Sequence, residues 1–311
     1  MNSFSGIPAG SSVLVTGGAG FIGLHVCRAL LQKGYTVIAL DNLDPFYAPS
    51  IKLDNIADLR THPGFQFVNG DIRDTSWQHP FPSSPKVIIH LAAKAGVRPS
   101  IQHPREYIDV NVQGTLSVLE YARQHKITKF IFGSSSSVYG VNPRVPWKES
   151  DTDLQPISPY AQSKIAAEEL CRVYAHLYQL PVTVLRFFTV YGPAQRPDLA
   201  IHGFFSKIWA GLPISVFGEG ATARDYTYVG DIVNGILSAL EQPAAQDYRV
   251  YNLGNSHTIG LLELIRAIEE VAGKSAQIQY LPEQAGDVPI TCADISLAKS
   301  ELGYLPQTTL Q

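Results

Sequence analysis

The feature that most restricts the fold is a glycine-rich stretch, Thr16 to Gly23, near the start of the chain. An apolar run, Val13 to Thr16, precedes it and has the composition of a buried strand. A helical pattern, Phe21 to Lys33, follows and ends at Gly34. The order of these segments predicts a strand, a tight turn and a helix in immediate succession.

Three glycines within that stretch have distinct roles in a dinucleotide site. Gly17 permits the tight turn, Gly20 lets the backbone approach a pyrophosphate at the helix N-terminus, and Gly23 lets helix and strand pack closely. The spacing is G-x-x-G-x-x-G rather than the commoner G-x-G-x-x-G. We therefore predict a dinucleotide site, with a glycine-rich turn that binds no ligand as the alternative.

The rest of the first 190 residues alternates between short apolar runs and helical patterns. The further predicted strands are Thr36 to Asp41, Phe65 to Val68, Val87 to His90 and Phe130 to Phe132. The later predicted helices are Arg105 to Gln124 and Tyr160 to Gln179. Short, continuously apolar strands between helices predict an α/β fold with a doubly wound parallel sheet of the Rossmann type.

After about Gly192 the sequence becomes richer in glycine, proline and short mixed segments. We predict an NAD-binding domain over 1–190 and a smaller, mainly substrate-binding lobe over 191–311, with a crossing of the chain back to the sheet left open as an alternative. Ligands of such sheets bind beyond the carboxyl ends of the strands, where this lobe would close.

Asp41 ends the second predicted strand. A carboxylate there can accept hydrogen bonds from the adenine ribose and would repel a 2′-phosphate, so NAD is favoured over NADP. A helix or turn cap is the alternative. Asp71 and Ile72 follow the third strand, where they could meet the adenine edge.

Two further motifs carry candidate catalytic groups. Tyr160 and Lys164 are four residues apart on a predicted helix and share a face. An ammonium beside a phenol lowers the pKa of the phenol, which could then act as a general base. The serines from Ser134 to Ser137 follow a strand and offer hydroxyls to a ligand. An ordinary amphipathic helix and a polar turn are the alternatives.

Composition excludes several other classes of function. The chain has 311 residues, 45% of them hydrophobic and 16% charged, with a formal net charge of −3. We expect neither nucleic acid nor an acidic membrane as a partner. Met1 to Ser12 lacks a secretory leader pattern, and no apolar run reaches the roughly 18 residues of a membrane span, which favours a cytoplasmic location. Three scattered cysteines predict buried free thiols and no metal site: Cys27, Cys171 and Cys292.

Together these motifs resemble the extended short-chain dehydrogenase/reductase superfamily, and within it the nucleotide-sugar 4-epimerases. The resemblance covers nearly the whole chain. It rests on Thr16 to Gly23, Asp41-Asn42-Leu43, His90-Leu91-Ala92-Ala93, Ser134 to Gly140, Tyr160 to Lys164 and Arg224-Asp225-Tyr226.

The resemblance implies a set of functional residues and a homodimer formed through two helices of each subunit. The implied catalytic group is Ser135, Tyr160 and Lys164, and Arg224 is implied to bind the nucleotide diphosphate. The residues expected at the NAD cofactor are Gly17, Gly20, Phe21, Ile22, Gly23, Asp41, Asn42, Asp71, Ile72, Leu91, Ala92 and Ala93, with Tyr160 and Lys164.

Positions at which members of the superfamily differ from one another indicate the substrate. Ser137 stands where dehydratases and decarboxylases carry an acidic residue. Thr189 stands where UDP-glucose epimerases generally carry Asn. Three phrases resemble UDP-glucuronate 4-epimerases: Ala95 to Arg98, Val190 to Asp198 and Gln284 to Val288, although Ala285 departs from the expected Pro. A UDP-glucose or UDP-xylose 4-epimerase is the alternative, and a non-catalytic NAD-binding regulator is the alternative of another class.

The expected reaction oxidises the sugar C4 hydroxyl to a ketone and then reduces that ketone from the other face. Tyr160 would take the hydroxyl proton, Ser135 would hydrogen-bond the same oxygen, and Lys164 would hold the pKa of Tyr160 down. A glucuronate carboxylate would need an anchor of hydrogen-bonding groups. The residues expected at the UDP-sugar are Ser136, Ser137, Thr189, Arg196, Arg224 and Asp287.

Overall fold

The computed structural model describes residues 7–8, 10–78, 81, 84–242, 248–283 and 286–310. Its strands are β1 (Ser12–Thr16), β2 (Thr36–Asp41), β3 (Phe65–Asn69), β4 (Val87–His90), β5 (Lys129–Ser135), β6 (Val182–Phe187), β7 (Thr189–Tyr191), β8 (Ile214–Phe217), β9 (Ala223–Tyr228), β10 (Tyr248–Leu253), β11 (Thr258–Gly260) and β12 (Ile278–Leu281). Its α-helices are α1 (Phe21–Gln32), α2 (Pro49–Asn55), α3 (Val97–Gln102), α4 (Pro104–Ile108), α5 (Gly114–Gln124), α6 (Pro159–Tyr178), α7 (Ala200–Trp209), α8 (Val229–Glu241), α9 (Leu261–Ala272) and α10 (Ser296–Leu302).

Seven strands form one parallel sheet in the order β10-β6-β5-β4-β1-β2-β3. Side chains of β1 alternate between two cores, with Val13 and Val15 in one and Leu14 in the other. Helices α1 and α8 pack on the first face, and α5 and α6 pack on the second. Strands covered on both faces need continuously apolar sequences, which is why they could be recognised. The predicted doubly wound α/β fold is confirmed.

The C-terminal part of the chain contributes to this sheet and also builds smaller ones. Strand β10 pairs with β6 along its whole length, and α8 packs against α1. A three-stranded sheet, β11-β9-β7, and a two-stranded sheet, β12-β8, lie outside the large sheet. Helices α7 and α9 share an apolar core with β8 that includes Ile208, Val216 and Ile265.

Two predicted elements differ from the structure by more than one residue at an end. The pattern from Arg105 to Gln124 is interrupted by a π-helical turn, Asp109–Gln113, between α4 and α5. A π-turn inserts one residue without ending the helical pattern, so the sequence does not reveal it. Strand β5 continues through Ser134 and Ser135 instead of ending at Phe132, because its hydrogen bonds with β6 extend that far.

Other predictions concern single residues or segments. Cys27 and Cys171 are buried free thiols, whereas Cys292 is partly exposed and so departs from the prediction. Gln284 and Ala285 lie outside the described residues. Among the residues with described positions, no helix is long and apolar enough to cross a membrane. In the same part of the chain, no three His, Cys, Asp or Glu side chains come together as metal ligands.

Candidate active site

A cavity of about 520 Å³ opens at the carboxyl ends of the large sheet. It brings together almost all of the residues that the sequence predicts for the site. These are Gly17, Gly20, Phe21, Ile22, Gly23, Asp41, Asn42, Asp71, Ile72, Leu91, Ala92, Ala93, Ser135, Ser136, Ser137, Tyr160, Lys164, Thr189 and Arg196. Arg224 and Asp287 are absent from the residues that line it.

The glycine turn leaves no room for side chains. Gly17 has a φ of +72°, and a Cβ on it would lie 2.8 Å from the backbone nitrogen of Ala92. A Cβ on Gly23 would lie 2.0 Å from the carbonyl oxygen of Gly17. Strand, turn and helix therefore approach as closely as a pyrophosphate cradle at a helix N-terminus requires. The residues present fit a dinucleotide.

A buried histidine at the end of β4 supports the glycine turn through hydrogen bonds, a role that the sequence motif did not predict for it. His90 Nδ1 is 2.6 Å from Thr16 Oγ1, and its Nε2 is 3.0 Å from Thr115 Oγ1. Thr16 Oγ1 also accepts a hydrogen bond from the backbone nitrogen of Ala92. Burial lowers the pKa of His90 to about 3, with the charge of Lys164 as a smaller cause. His90 is therefore neutral near pH 7 and joins β1, β4 and α5 beneath the cavity.

Asp41 is buried but keeps acceptor capacity. Its Oδ1 accepts from Leu43 N at 2.9 Å and its Oδ2 from Ala19 N at 3.2 Å. Because a carboxylate has about four acceptor sites, ribose hydroxyls can still bind. Lys52, which belongs to no sequence motif, is equally buried, and its ammonium lies 3.7 Å from Asp41 Oδ1. The carboxylate of Asp41 therefore has a cation beside it.

Asp71 contrasts with Asp41. Its two oxygens accept four hydrogen bonds, three from Arg73 and one from Asn42. Hydrogen bonding to Arg73 is the main cause that lowers the pKa of Asp71 to about 2. The acceptor sites of this carboxylate are thus filled by protein. An adenine contact through Asp71 stays a prediction, and it would require one of these bonds to give way.

The predicted catalytic group lies where α6 meets the end of β5. The Lys164 ammonium donates to the carbonyl oxygen of Gly133, at 2.9 Å. The Ser135 hydroxyl lies at 3.1 Å from that of Ser137. Burial raises the pKa of Tyr160, while the Ser135 hydroxyl and the charge of Arg196 lower it. Lys164 is not among the causes that shift the pKa of Tyr160 here, where its ammonium bonds to Gly133, and a lowering by Lys164 stays a prediction.

A buried charge network fixes this junction. Glu168 lies one turn beyond Lys164 on α6, and its carboxylate accepts hydrogen bonds from Ser134 Oγ and from Arg186 Nε and Nη2. Arg186 also donates to the Tyr139 hydroxyl at 2.9 Å. All four side chains are buried. The network holds β5 and β6 against the helix that carries Tyr160.

A second set of hydrogen bonds joins α6 to the loop after β4. Asn111, in the π-helical turn, accepts from Lys94 N at 2.8 Å and donates to Lys94 O and to Ser163 Oγ. Lys94 lines the cavity, where its ammonium lies 2.7 Å from Glu106 and 3.4 Å from Asp44. The π-helical turn thus carries the Asn111 amide that joins this loop to α6.

Arg196 reaches the cavity from the segment after β7. Its Nε and Nη2 donate to the two carboxylate oxygens of Asp198, at 2.9 and 2.6 Å. The pKa of Arg196 lies above its ordinary value. Burial acts to lower this pKa, but the hydrogen bonds and charge of Asp198 outweigh that effect. The Phe46 ring centre lies 5.3 Å from the guanidinium carbon. Asp198 and Phe46 also line the cavity and were not predicted.

Arg224 and Asp287 lie with Arg98 in a separate cluster. Asp287 pairs with Arg98 at 3.0 Å, and Arg98 lies over the ring of Phe217, 4.7 Å from its centre. Burial is the main cause that lowers the pKa of Arg224, with Asp287 and Arg98 acting in opposite directions. These charges are therefore close enough to interact. Val97, which precedes Arg98, lines the main cavity, so the cluster adjoins it.

Comparison with known proteins gives one family and several close relatives. Residues 13–254 match the model of the NAD dependent epimerase/dehydratase family. UDP-glucuronate 4-epimerase 4 of Arabidopsis thaliana is 42% identical over 328 residues, which cover 97% of this chain and 73% of that protein.

Solved structures are similar over the same extent. The UDP-glucuronic acid 4-epimerase of Bacillus cereus, in complex with UDP-glucuronic acid and NAD, has a TM-score of 0.90 and 37% identity, covering 96% of this chain and 95% of that one. A UDP-glucose 4-epimerase of Thermotoga maritima, with UDP-glucose, has a TM-score of 0.87 and 33% identity, covering 96% and 94%.

Proposed function

The chain belongs to the NAD-dependent epimerase/dehydratase family, and we propose that it interconverts UDP-glucuronate and UDP-galacturonate by inverting C4 of the sugar. One observation carries the choice of substrate. Tyr160 and Arg196 line the same cavity, and Arg196 is close enough for its charge to lower the pKa of Tyr160. A general base and a cation that can pair with a carboxylate thus face one bound sugar.

The cofactor of this family is NAD; held by the glycine turn and Asp41, it would supply the hydride acceptor and donor for C4. Tyr160 takes the proton of the C4 hydroxyl, and Ser135 hydrogen-bonds the same oxygen. Lys164 holds the Gly133 carbonyl and so keeps β5 in place beside the phenol. The 4-keto sugar then rotates within the site while the diphosphate stays bound. After the hydride has returned to the other face of C4, Tyr160 returns the proton to the C4 oxygen.

A glucuronate substrate needs protection at this stage, because a 4-keto uronate is a β-keto acid. It loses carbon dioxide fastest when the breaking C–C bond aligns with the carbonyl π system. Ser136, Ser137, Thr189 and Arg196 all line the cavity and can hold the carboxylate out of that alignment. All four can donate hydrogen bonds to the carboxylate, although Asp198, the partner of Arg196, is an anion that lines the same cavity.

The diphosphate is the part of the substrate that Arg224 would bind. A guanidinium suits two adjacent phosphates because its planar fork donates several hydrogen bonds at once. Asp287 lies close to Arg224 and pairs with Arg98, and so would orient these cations rather than contact the phosphates. The cluster adjoins the cavity, which fits a ligand that extends out of it.

The test is incubation of the purified protein with UDP-glucuronate, UDP-glucose or UDP-xylose, followed by identification of products. We expect UDP-galacturonate as the main product and the highest catalytic efficiency with UDP-glucuronate. A preference for UDP-glucose would reject the proposal. That alternative has one observation in its favour: Arg196 already has a carboxylate partner, Asp198, and does not need a second.

We also propose a cytoplasmic homodimer. On α6, the apolar side chains of Val173, Leu177 and Tyr178 are exposed, and Ile108 of α4 is exposed as well. Val173 and Leu177 are four residues apart and share a face of α6, and exposed apolar patches mark interfaces. Sedimentation should give a dimer for the wild type and a monomer for Leu177→Glu. A wild-type monomer would reject the dimer. The cytoplasmic location is a separate proposal, which cell fractionation tests.

A further inference from the structure

One edge of the Arg196 guanidinium is already occupied. Nε and Nη2 donate to the two oxygens of Asp198, which is a side-on bidentate pair. Two parallel N–H···O bonds fix the plane of the guanidinium as well as its charge. The Phe46 ring supports one face of the same group, with its centre 5.3 Å from the guanidinium carbon. The orientation of Arg196 is therefore set by its neighbours.

The other edge is left for a ligand. A guanidinium has five N–H groups, and the pair with Asp198 uses one on Nε and one on Nη2. Among the residues that the structure describes, none accepts a hydrogen bond from Arg196 Nη1. The end-on edge, formed by Nη1 and the second Nη2 hydrogen, can still receive a carboxylate in bidentate fashion. Arg196 lines the cavity that also contains Tyr160.

We propose that Asp198 is a specificity-determining positioning residue, which takes the side-on edge of Arg196 and thereby presents the end-on edge to the carboxylate of the uronate sugar. The inference rests on the proposed function, since a neutral hexose has no carboxylate to bind there. Asp198 acts through Arg196 and does not touch the reacting atoms, so it is not a catalytic residue.

A purely electrostatic role for Asp198 gives the opposite expectation. Asp198 is an anion near the place where an anionic sugar would bind, and like charges repel. If repulsion dominated, removing the charge of Asp198 would improve the use of UDP-glucuronate. If positioning dominates, the same change lets Arg196 rotate away and weakens the use of UDP-glucuronate. The sign of the effect therefore separates the two roles.

The experiment compares three variants with the wild-type holoenzyme. Asp198→Asn keeps the size of the side chain but has one acceptor oxygen and no charge, and Asp198→Glu keeps both oxygens. Asp58→Asn is the matched control, because Asp58 pairs with Arg28 on the surface and does not line the cavity. The readout is the ratio of kcat/KM for UDP-glucuronate to kcat/KM for UDP-glucose, with kcat and KM measured separately.

For Asp198→Asn we expect the ratio to fall about tenfold, mainly through a higher KM for UDP-glucuronate, as for one weakened charge-assisted contact. Asp198→Glu should recover part of the loss, and Asp58→Asn should keep the wild-type ratio. An unchanged or higher ratio in Asp198→Asn overturns the inference while the proposed function stands. No recovery in Asp198→Glu also counts against it. A wild type that prefers UDP-glucose rejects the proposed function, and this inference with it.

Discussion

The Lys164 ammonium lies 2.9 Å from the carbonyl oxygen of Gly133 in β5. It therefore binds the strand that carries Ser135, while Tyr160 lies one turn earlier on the same helix. One charged hydrogen bond thus connects the two elements that supply the proposed catalytic hydroxyls. It also removes the ammonium from water, since Lys164 is 4% exposed.

This burial predicts a pH dependence. Burial lowers the pKa of Lys164 to about 8, although the carboxylate of Glu168 opposes the shift. The protonated form makes the bond to Gly133, so kcat/KM should fall as the pH rises through about 8. Lys164→Arg keeps its charge far above that pH. Its activity will be lower, but the decline near pH 8 should be missing; the same decline in this variant would assign the titration to another group.

Tyr160→Phe should bind NAD and the UDP-sugar but lose most of its turnover. A general base typically contributes ~10²–10⁴-fold. Tyr280→Phe is the control, because Tyr280 is an exposed tyrosine that does not line the cavity. Single-turnover measurements with saturating substrate separate the loss in chemistry from any loss in binding. Near-normal turnover in a folded Tyr160→Phe variant would exclude it as the base.

Asp41→Ala should weaken NAD and improve the relative binding of NADP. The variant loses the acceptor for the ribose hydroxyls, while Lys52 remains and can pair with a 2′-phosphate. Loss of one charge-assisted contact, about 1.5–3 kcal/mol, corresponds to roughly ten- to a hundredfold in affinity. Calorimetric titration with both nucleotides measures this. The double variant Asp41→Ala/Lys52→Met should lose the gain for NADP, and a gain that persists there would show that Lys52 is not its source.

Arg196→Ala should lower kcat/KM for UDP-glucuronate far more than for UDP-glucose. Without the cation, the sugar carboxylate lies under-compensated in a partly buried site. The expected fall in the ratio of the two efficiencies is roughly ten- to a hundredfold. Product analysis should also detect a trace of decarboxylated UDP-4-keto-pentose, because the carboxylate can then reach the aligned geometry. An unchanged ratio would mean that Arg196 does not bind the carboxylate.

Glu168→Ala should destabilise the protein strongly. It leaves Arg186 charged and buried without its carboxylate partner, and breaking a buried pair in this way costs about 3–5 kcal/mol. Glu169→Ala is the control on the same helix, because Glu169 and its partner Arg172 are exposed and their pairing contributes little. Urea unfolding gives both free energies of unfolding. Equal effects of the two substitutions would contradict the importance of the buried network.

The parts of the fold that sequence patterns predicted are those with short-range causes. Strand β2 begins at Thr36 and ends at Asp41 as expected, because a strand covered on both faces is apolar throughout. The C-terminal end of β5 was missed, because Ser134 is polar. It can lie in a buried strand only because Glu168, from a different element, accepts its hydrogen bond.

The residues of the site also divide into those that belong to local sequence motifs and those whose roles depend on partners distant in the sequence. The glycine turn, Asp41 and Tyr160 belong to local motifs, and each lines the cavity. Lys52 belongs to no motif, and Asp198 is only the last residue of the phrase Val190 to Asp198, which gave it no role of its own. Their importance arises from a partner in three dimensions, Asp41 for the first and Arg196 for the second. The position of Arg224 outside the cavity depends on the small sheet that β9 forms with β11, which the sequence did not reveal.

Because β10 returns to the large sheet, only some junctions between this enzyme and a relative can give a well-packed chimera. Strand β10 covers the edge of β6, and Asn252 within it bonds to Tyr139, Trp147 and Asp294. A chimera joined near residue 190 would therefore pair an edge strand from one parent with a neighbour from the other. Exchanging the substrate-binding segments alone, with α8 and β10 kept from the parent that supplies β6, preserves that edge. Swaps that respect this interleaving should yield soluble hybrids, whereas a single crossover leaves the edge mismatched and open to aggregation.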